Sequence, residues 1–442
     1  MTHQGLIAGW LNRKPAGTAP GPRGKLGQAM IVTKGAGTEA GKERSGTLRV
    51  VLYSHDSQGL GHTRRNLALA HALTRDFRNA GRKVSGVLVT GVAAATRFEV
   101  PEGWDWVVVP GIAKGPDGYE PRHLAVRRKK VLKLRSSVIA AVLRDFRPHL
   151  VVVDRHPFGV DHELADGLER LRRKRPSCRV VLGLREVLDQ PAAARREWEA
   201  LDLEQVRRSF DEFWVYGDPA IHDPVRTGEI PGGLAHLVRH TGYLSLGRPV
   251  RRRTGAAGVP FVVTMAGGGS DGLNVTLTAA RAALPPGFEH LIITGPQMPK
   301  EDRAQVETAA GPGTHVVGSV RDALAEIQSA SAVVAMGGYN TVCEIMSTTT
   351  PALIVPRVHP RREQLIRARG LAGHQLLDFC HPDEFTPRAL STWWREVAGQ
   401  DVPRTGVNLD GLATTYDFAT ELLSRPADTA REDTGWARHA AV

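Results

Sequence analysis

Residues 332–344 read AVVAMGGYNTVCE, which joins a short apolar run to a Gly-Gly turn and then to a helical pattern. The run Ala332–Ala335 contains no polar residue, as is typical of a strand covered on both faces of a parallel sheet. We expect Asn340 or Thr341 to cap the helix and Glu344 to lie about one turn inside it. The stretch therefore predicts a ligand-binding loop at the carboxyl end of a parallel strand, where glycine lets the backbone approach a ligand closely.

The same alternation of apolar runs and helical stretches extends over most of the chain and predicts an α/β protein. The strand candidates are Leu48–Tyr53, Val84–Thr90, Trp106–Pro110, Leu150–Asp154, Val180–Leu184, Phe213–Tyr216, Phe261–Met265, His290–Thr294, His315–Val317, Ala332–Ala335 and Ala352–Val355. The helix candidates are Arg65–Arg78, Arg127–Phe146, Asp161–Arg173, four that begin near Leu273, Arg321, Thr341 and Gln364, and Leu409–Leu423, which could pack onto either domain.

The pattern breaks once, and the break predicts two domains. Around residues 245–258 Gly, Pro and Arg replace the core residues, as in an interdomain linker. We predict two Rossmann-like, doubly wound domains that face each other across a cleft, at residues 47–244 and 259–424. Residues 1–46 and 425–442 are expected to be flexible tails.

Composition excludes several classes of protein. Hydrophobic residues make up 41% of the chain, and no stretch approaches the roughly 18 apolar residues of a membrane span. The N-terminus lacks the order of charges and apolar residues of a secretion signal. Cys178, Cys343 and Cys380 show no CxxC spacing, so neither a disulfide framework nor a zinc site is expected. We expect a cytoplasmic protein, with peripheral contact at the inner face of the membrane as a further hypothesis.

The net charge of +12 is unevenly distributed. Residues 1–46 carry seven Lys/Arg against two Glu, together with ten glycines, which predicts a basic, Gly-rich tail. A second basic run, Arg127–Lys130 with Lys133, opens a helix candidate and is typical of a solvated face. Alternatively it is a patch for anionic lipid headgroups or a phosphorylated acceptor. No RNP, zinc-finger or basic-zipper pattern accompanies the charge, so nucleic acid is not an expected partner.

Two more glycine loops follow strand candidates. The first, residues 54–66, contains GLGH but has Arg64 where a dinucleotide fingerprint needs its third glycine. His62 in this loop is either a structural histidine or a base directed into the cleft. The second, Gly267–Gly272, matches GxGxxG, but the next strand ends without the acidic residue of a nicotinamide site. It predicts a phosphate cradle of backbone N–H groups, with a plain tight turn as the alternative.

An acidic residue ends the strand candidate Leu150–Asp154, on the side where the cleft is expected. A neighbouring cation such as Arg155 could satisfy Asp154 structurally. Otherwise Asp154 is the base that activates an acceptor with His62 assisting, or the two roles are reversed. The sequence leaves these alternatives open.

Taken in order, several short motifs of the second half resemble the GT-B glycosyltransferases, and among them the MurG-type branch that uses UDP-N-acetylglucosamine. The matching motifs are GGGS at 267–270, TGP at 294–296, GSV at 318–320, GGYNTVCE at 337–344, PALIVP at 351–356 and Gln364. The GLGH of residues 59–62 resembles the family's N-terminal glycine loop. Residues 54–73 also resemble a group of bacterial predicted glycosyltransferases. Met336 departs from the donor-binding signature of plant-type glycosyltransferases, which has a phosphate-contacting histidine at this position.

The resemblance implies an inverting, metal-independent transferase that moves a hexose or N-acetylhexosamine from a nucleotide diphosphate sugar, with UDP as the first expectation. The acceptor would be a secondary metabolite, glycolipid or cell-envelope precursor, anionic or lipid-linked among the options, and no cofactor is expected. His62 and Asp154 would be catalytic, Glu344 would bind the donor ribose and Gln364 the sugar. The implied donor-binding residues are Gly59, Gly61, Gly268, Gly269, Ser270, Val320, Gly337, Gly338, Asn340, Thr341, Glu344 and Gln364.

Two other functions fit the same architecture. One is a UDP-sugar 2-epimerase-like enzyme, although the cleft motifs of that class are not found here. The other is a nucleotide-sugar-binding protein without catalysis.

Overall fold

The computed structural model describes residues 46–55, 59–115, 118–250 and 258–426. The predicted tails at 1–46 and 425–442 and the linker at 245–258 lie wholly or partly outside these residues, so those boundaries stay predictions. None of the helices in the described parts of the chain combines the length and apolarity needed to cross a bilayer.

The N-terminal domain contains a seven-stranded parallel sheet and a small hairpin. Its strands are β1 (Leu48–Tyr53), β2 (Val84–Thr90), β3 (Trp104–Val108), β4 (Ile112–Gly115), β5 (Gly118–Pro121), β6 (Leu150–Asp154), β7 (Arg179–Arg185), β8 (Glu212–Tyr216) and β9 (Val238–His240). The order in the sheet is β3-β2-β1-β6-β7-β8-β9, and β4 and β5 form the antiparallel hairpin. Since the order reverses between β1 and β6, the topological switch point lies there.

The helices of this domain begin with α1, which follows β1 directly. They are α1 (Gly61–Asn79), α2 (Arg128–Phe146), α3 (Ala165–Lys174), α4 (Pro191–Glu199) and α5 (Leu203–Ser209). Buried aliphatic and aromatic side chains of β1, β6, β7 and β8 form the main core against them.

The C-terminal domain repeats the architecture. Its strands are β10 (Phe261–Met265), β11 (Glu289–Ile293), β12 (Thr314–Val317), β13 (Ala332–Ala335), β14 (Ala352–Ile354) and β15 (Asp378–Phe379). Its helices are α6 (Leu273–Ala280), α7 (Lys300–Ala309), α8 (Ala323–Ser329), α9 (Tyr339–Met346), α10 (Glu363–Gly373), α11 (Pro387–Val397) and α12 (Gly411–Ser424). The sheet order β12-β11-β10-β13-β14-β15 places the second switch point between β10 and β13. Two doubly wound α/β domains, as predicted, are confirmed.

The last helix, α12, returns to the N-terminal domain. Tyr416 of α12 lies edge-on to Phe77 of α1, with ring centroids 4.8 Å apart. Phe418 packs against Trp214 of β8 at 6.2 Å. The sequence predicted the helix but could not assign its partner, because its apolar stripe fits either domain.

The structure departs from the sequence predictions mainly at short elements. The strand predicted at Trp106–Pro110 lies at Trp104–Val108, and the helix predicted from Asp161 begins at Ala165. Asp161 and His162 have φ values of 45° and 61°, in the left-handed region, and they interrupt the helical backbone. The hairpin, α4, α5, α7, α11, β9 and β15 were not predicted, since short elements carry little periodic signal.

A buried histidine of the C-terminal sheet predicts acid-sensitive stability. His290 in β11 is fully buried, and its Nε2 lies 2.9 Å from Thr264 Oγ1. Burial lowers the pKa of His290 from 6.5 to about 3. Between pH 6.5 and about pH 3, His290 is protonated in the unfolded chain but not in the folded protein. Its contribution to stability is therefore fully present above pH 6.5 and decreases as the pH falls. From pH 7 to pH 5 we expect His290 to contribute a loss of about 2 kcal/mol in the free energy of unfolding.

Urea unfolding of the wild type and His290→Gln at both pH values measures this contribution. The loss between pH 7 and pH 5 is expected to be smaller in His290→Gln and unchanged in the control His123→Gln, whose side chain is exposed. An equal loss in His290→Gln and the wild type would contradict the assignment.

Candidate active site

A histidine–aspartate pair lies at the switch point of the N-terminal sheet. Asp154 ends β6, and its Oδ2 contacts His62 Nδ1. The sequence predicted that His62 lies in a loop. In the structure it lies in the first turn of α1, which begins at Gly61. The helix starts earlier than the apolar pattern indicates because its first turn faces the cleft rather than the core. His62 keeps 22% of its side chain exposed, whereas Asp154 is buried.

The charge of Asp154 is fixed by a second partner. The buried Arg65 of α1 donates from Nε to Asp154 Oδ1 at 3.1 Å and again from its terminal nitrogen. Burial alone would raise the pKa of Asp154, but Arg65 and His62 outweigh it and hold that pKa below its usual range. An ionised Asp154 accepts a hydrogen bond from His62 when the proton is on Nδ1, and in that tautomer Nε2 is the proton acceptor.

Other aromatic and imidazole groups surround the pair. His55 lies 6.0 Å from His62 and 4.3 Å from His156 between ring centroids, and its Nε2 is 3.1 Å from the Tyr119 hydroxyl. Burial lowers the pKa of His55 to about 3 and that of His156 well below 6.5. These two rings are therefore neutral near pH 7 and add no charge to the cleft.

The glycine loop after β13 contacts the N-terminal domain. Helix α9 begins at Tyr339 with Gly338 at its N-cap, and no side chain caps it. The prediction that Asn340 or Thr341 caps the helix is therefore wrong. Asn340 instead donates from Nδ2 to the Gly61 carbonyl at 2.8 Å, because α1 lies within reach of its amide.

Glu344 lies in α9 with 4% of its surface exposed. Its Oε1 accepts from Arg64 of α1 and lies 3.9 Å from a terminal nitrogen of Arg248. Its Oε2 is buried and has no hydrogen-bond partner among the described residues. One carboxylate oxygen is thus held by cations, while the hydrogen-bonding capacity of the other is unused within the described residues.

The loop after β10 adopts a backbone that only glycine tolerates. Gly269 has φ +95°, and a Cβ there would lie 2.4 Å from the Thr294 carbonyl oxygen. The side chain of Gln297 lies beside both loops. A Cβ on Gly268 would lie 3.1 Å from Gln297 Oε1, and a Cβ on Gly59 of the first loop would lie 3.8 Å from the same atom. The first and second glycine loops therefore both lie beside the side-chain amide of Gln297.

A chain of contacts joins this second loop to the start of α10. Asp271 accepts from Arg357 at 3.1 Å, and Arg357 also binds Glu363. The backbone N–H of Arg357 donates to Gln364 Oε1 at 2.9 Å. These contacts hold the loop that contains Asp271 against the start of α10.

The remaining predicted residues are less closely tied. Gly337 has φ +82°, and its carbonyl accepts from Arg367 at 3.1 Å. Thr341 is buried in α9, and Ser270 is exposed in its loop. Val320 is half-buried after β12, an outer strand of the same sheet.

Sequence reasoning missed the arginines of the site. Arg65, Arg248, Arg357 and Arg367 each contact a residue of the cleft, as does Arg64. The pair Arg64-Arg65 at the start of a helix was a readable signal for cations near a glycine loop. The others carry no sequence signal, because their carboxylate partners are distant in the chain. Within the described ranges, no cluster of three or more His, Cys, Asp or Glu could hold a metal ion.

Comparisons with known proteins give a family match for part of the chain and show its fold. Residues 262–392 match the model of the glycosyltransferase family 28 C-terminal domain. No curated protein sequence matches the chain.

Solved structures with the same fold include the calicheamicin glycosyltransferase CalG4, at TM-score 0.54 and 15% identity, covering 87% of this chain and 100% of that one. The kitacinnamycin glycosyltransferase aligns at TM-score 0.54 and 16% identity, covering 86% of this chain and 100% of that one. MurG of Acinetobacter baumannii aligns at TM-score 0.50 and 13% identity, covering 85% of this chain and 99% of that one. The chain thus has the GT-B fold, and its family 28 domain indicates a glycosyltransferase. The likeness to MurG is one among several and does not single out that branch.

Proposed function

We propose that this glycosyltransferase moves a hexose or N-acetylhexosamine from a UDP-sugar to an acceptor hydroxyl with inversion at the anomeric carbon. The observation that carries the proposal is the His62–Asp154 pair, which lies across the cleft from the half-satisfied carboxylate of Glu344. One domain thereby offers a base and the other offers a pentose-binding group. The family 28 match at residues 262–392 supports a donor site in the C-terminal domain.

In the proposed reaction His62 is the base and Asp154 orients it. The acceptor oxygen forms a bond to the anomeric carbon while the bond from that carbon to the donor diphosphate breaks. The acceptor proton moves to His62 Nε2, and the electron pair leaves with the nucleoside diphosphate. Asp154 is unsuited to be the base because Arg65 and His62 lower its pKa, which makes it a weak base, and because Arg65 occupies its second oxygen. A single displacement by the acceptor inverts the anomeric centre.

The donor is held mainly by main-chain groups in this proposal. The turn at Gly267–Gly269 and the amino end of α9 present backbone N–H groups to the diphosphate, where they stabilise the leaving charge without a metal. Glu344 Oε2 accepts from a ribose hydroxyl, and Gln364 contacts the sugar. Val320 and its neighbours contact the uracil through backbone groups. Full activity in EDTA is the expected outcome for such a site.

Thermal unfolding with UDP tests the donor site. Ligand at a hundred times its dissociation constant adds about 2.7 kcal/mol to the free energy of unfolding, so UDP is expected to raise the melting temperature by several degrees. Glu344→Gln keeps the side-chain shape and weakens acceptance from ribose, so it is expected to remove most of the shift by UDP and by uridine.

Glu301→Gln is the matched control, since Glu301 is exposed on α7. Inorganic pyrophosphate, which lacks the pentose, is expected to bind Glu344→Gln as well as it binds the wild type. A full UDP shift in Glu344→Gln would contradict the ribose role, and no shift in the wild type would contradict the donor site. Accumulation of a UDP-sugar epimer without acceptor would instead favour the epimerase alternative.

The proposal includes peripheral membrane contact by the start of α2. Leu124, Val126 and Leu134 expose 45%, 44% and 47% of their surfaces. They accompany the exposed basic run Arg127–Lys130. Apolar side chains beside several cations suit an anionic bilayer surface, which would bring the enzyme to a lipid-linked acceptor.

Vesicle sedimentation tests this contact. The protein is expected to sediment with vesicles that contain phosphatidylserine and not with pure phosphatidylcholine. Lys129→Glu with Lys130→Glu is expected to abolish sedimentation, whereas Arg207→Glu with Arg208→Glu on α5 leaves it unchanged. Equal sedimentation of both double variants would exclude this surface.

A further inference from the structure

Arg185 differs from the arginines described above, because its guanidinium has no carboxylate partner within the described residues. It is the last residue of β7, between β6, which ends in Asp154, and β8. Its Nε is shielded from solvent and makes no hydrogen bond. No described carboxylate lies within 4.0 Å of its guanidinium, although Arg64, Arg65, Arg357 and Arg367 all have one.

The surroundings of Arg185 are those of the reacting centre. Burial lowers its pKa to about 9, Glu363 opposes that shift, and Arg367, Arg65 and Arg155 add to it. Glu363 precedes Gln364 at the start of α10, and Arg65 holds Asp154. The guanidinium is still charged at pH 7, and Arg185 lies two residues beyond Gly183, which pairs with Asp154 in the register of β6 and β7.

A second arginine next to it is only partly satisfied. Arg155 exposes 4% of its side chain, and it contacts Glu197 through one terminal nitrogen. Its Nε is buried without a partner. Its backbone has φ +72°, an unfavourable conformation for a residue with a Cβ, and its N–H donates to the Gly183 carbonyl of β7 at 2.9 Å. Strain of this kind persists where the surrounding structure holds a side chain in place.

Two guanidinium groups with unused N–H donors in a shielded cleft are costly unless a ligand pairs with them. Planar guanidinium groups match the geometry of carboxylates and phosphates. We propose that Arg185, with Arg155 beside it, binds an oxyanion of the substrate, a phosphate or carboxylate carried by the donor or by the acceptor. This inference rests on the proposed function for the identity of the substrates, but not for the anion site.

Titration calorimetry with two probes tests the site and identifies the source of the anion. Wild type, Arg185→Gln and Arg185→Lys are titrated with UDP, and with inorganic phosphate before and after saturation with UDP. If the donor supplies the anion, Arg185→Gln weakens UDP binding at least tenfold and leaves uridine binding unchanged. If the acceptor supplies it, UDP affinity is unchanged and phosphate binding to the UDP-saturated protein is lost in Arg185→Gln. In either case the affinity of Arg185→Lys is expected to lie between the affinities of the wild type and Arg185→Gln.

Stability separates this role from a structural one. Because Arg185 has no hydrogen bond to lose and lies near other cations, Arg185→Gln is expected to melt at the same temperature as the wild type or higher. Arg173→Gln on the exposed face of α3 is the control for both measurements.

Unchanged binding of both probes in Arg185→Gln would overturn the anion site, as would a lower melting temperature with unchanged binding. A wild-type protein that binds phosphate but neither UDP nor uridine would contradict the proposed function. In that case the loss of phosphate binding in Arg185→Gln would still support the anion site.

Discussion

Replacing His62 by glutamine is expected to lower kcat by about 10²–10⁴-fold, the range typical of a lost general base. Glutamine is similar in size to histidine but cannot take a proton from the acceptor. The donor contacts assigned above come from the C-terminal domain and from loop backbone, so the affinity for UDP is expected to stay within a few-fold of the wild type. Turnover of a UDP-sugar and the dissociation constant of UDP are the two measurements.

His71→Gln is a matched control on the same helix, nine residues along α1. Its ring nitrogen lies 3.3 Å from the Glu99 carbonyl, away from the pair, and turnover is expected to be unchanged. More than a tenth of wild-type turnover in His62→Gln would show that another group removes the acceptor proton. Equal losses of UDP affinity and turnover would show that His62 serves binding instead.

Replacing Glu186 by glutamine is expected to lower the free energy of unfolding by about 3–5 kcal/mol. Glu186 follows β7 in the N-terminal domain, Arg367 lies in α10 of the C-terminal domain, and both side chains have no exposed surface. Two hydrogen bonds of 2.5 and 3.1 Å join them. Burial by itself lowers the pKa of Arg367, and Glu186 raises it above its usual range, so Glu186→Gln removes the charge that compensates for the burial of this guanidinium.

Urea unfolding measures this loss, and an exposed pair supplies the comparison. Glu204→Gln breaks a contact with Arg207 on α5 in which both side chains are about half exposed, and a change within about 0.5 kcal/mol is expected. The double variant Glu186→Leu with Arg367→Met is expected to recover part of the loss, because it removes the unpaired buried charge. A change below 1 kcal/mol in Glu186→Gln would show that water or another carboxylate compensates.

Much of the fold could be predicted from the sequence because it depends on local patterns. Continuous apolar runs such as Leu150–Val153 are stable only inside a sheet covered on both faces, so they predicted parallel strands within one or two residues. Helices with long apolar stripes were predicted because this pattern, too, is local. Elements of two to four residues, such as β15 and the hairpin of β4 and β5, were missed because they contain at most two periods of the strand pattern.

The sequence by itself determined which loops hold glycine and which strands end in a polar residue. It thereby predicted that Asp154 ends a strand and that Glu344 lies about one turn inside a helix, because both properties are local. Only the tertiary structure decided which of these groups meet. Asp154 contacts His62 across 92 positions of the chain and Glu344 contacts Arg64 across 280, and no local pattern records such a contact. Whether a side chain keeps its charge or lacks a partner, as with Asp154 and Arg185, depends on burial and on neighbours from other elements, which exist only after the chain has folded.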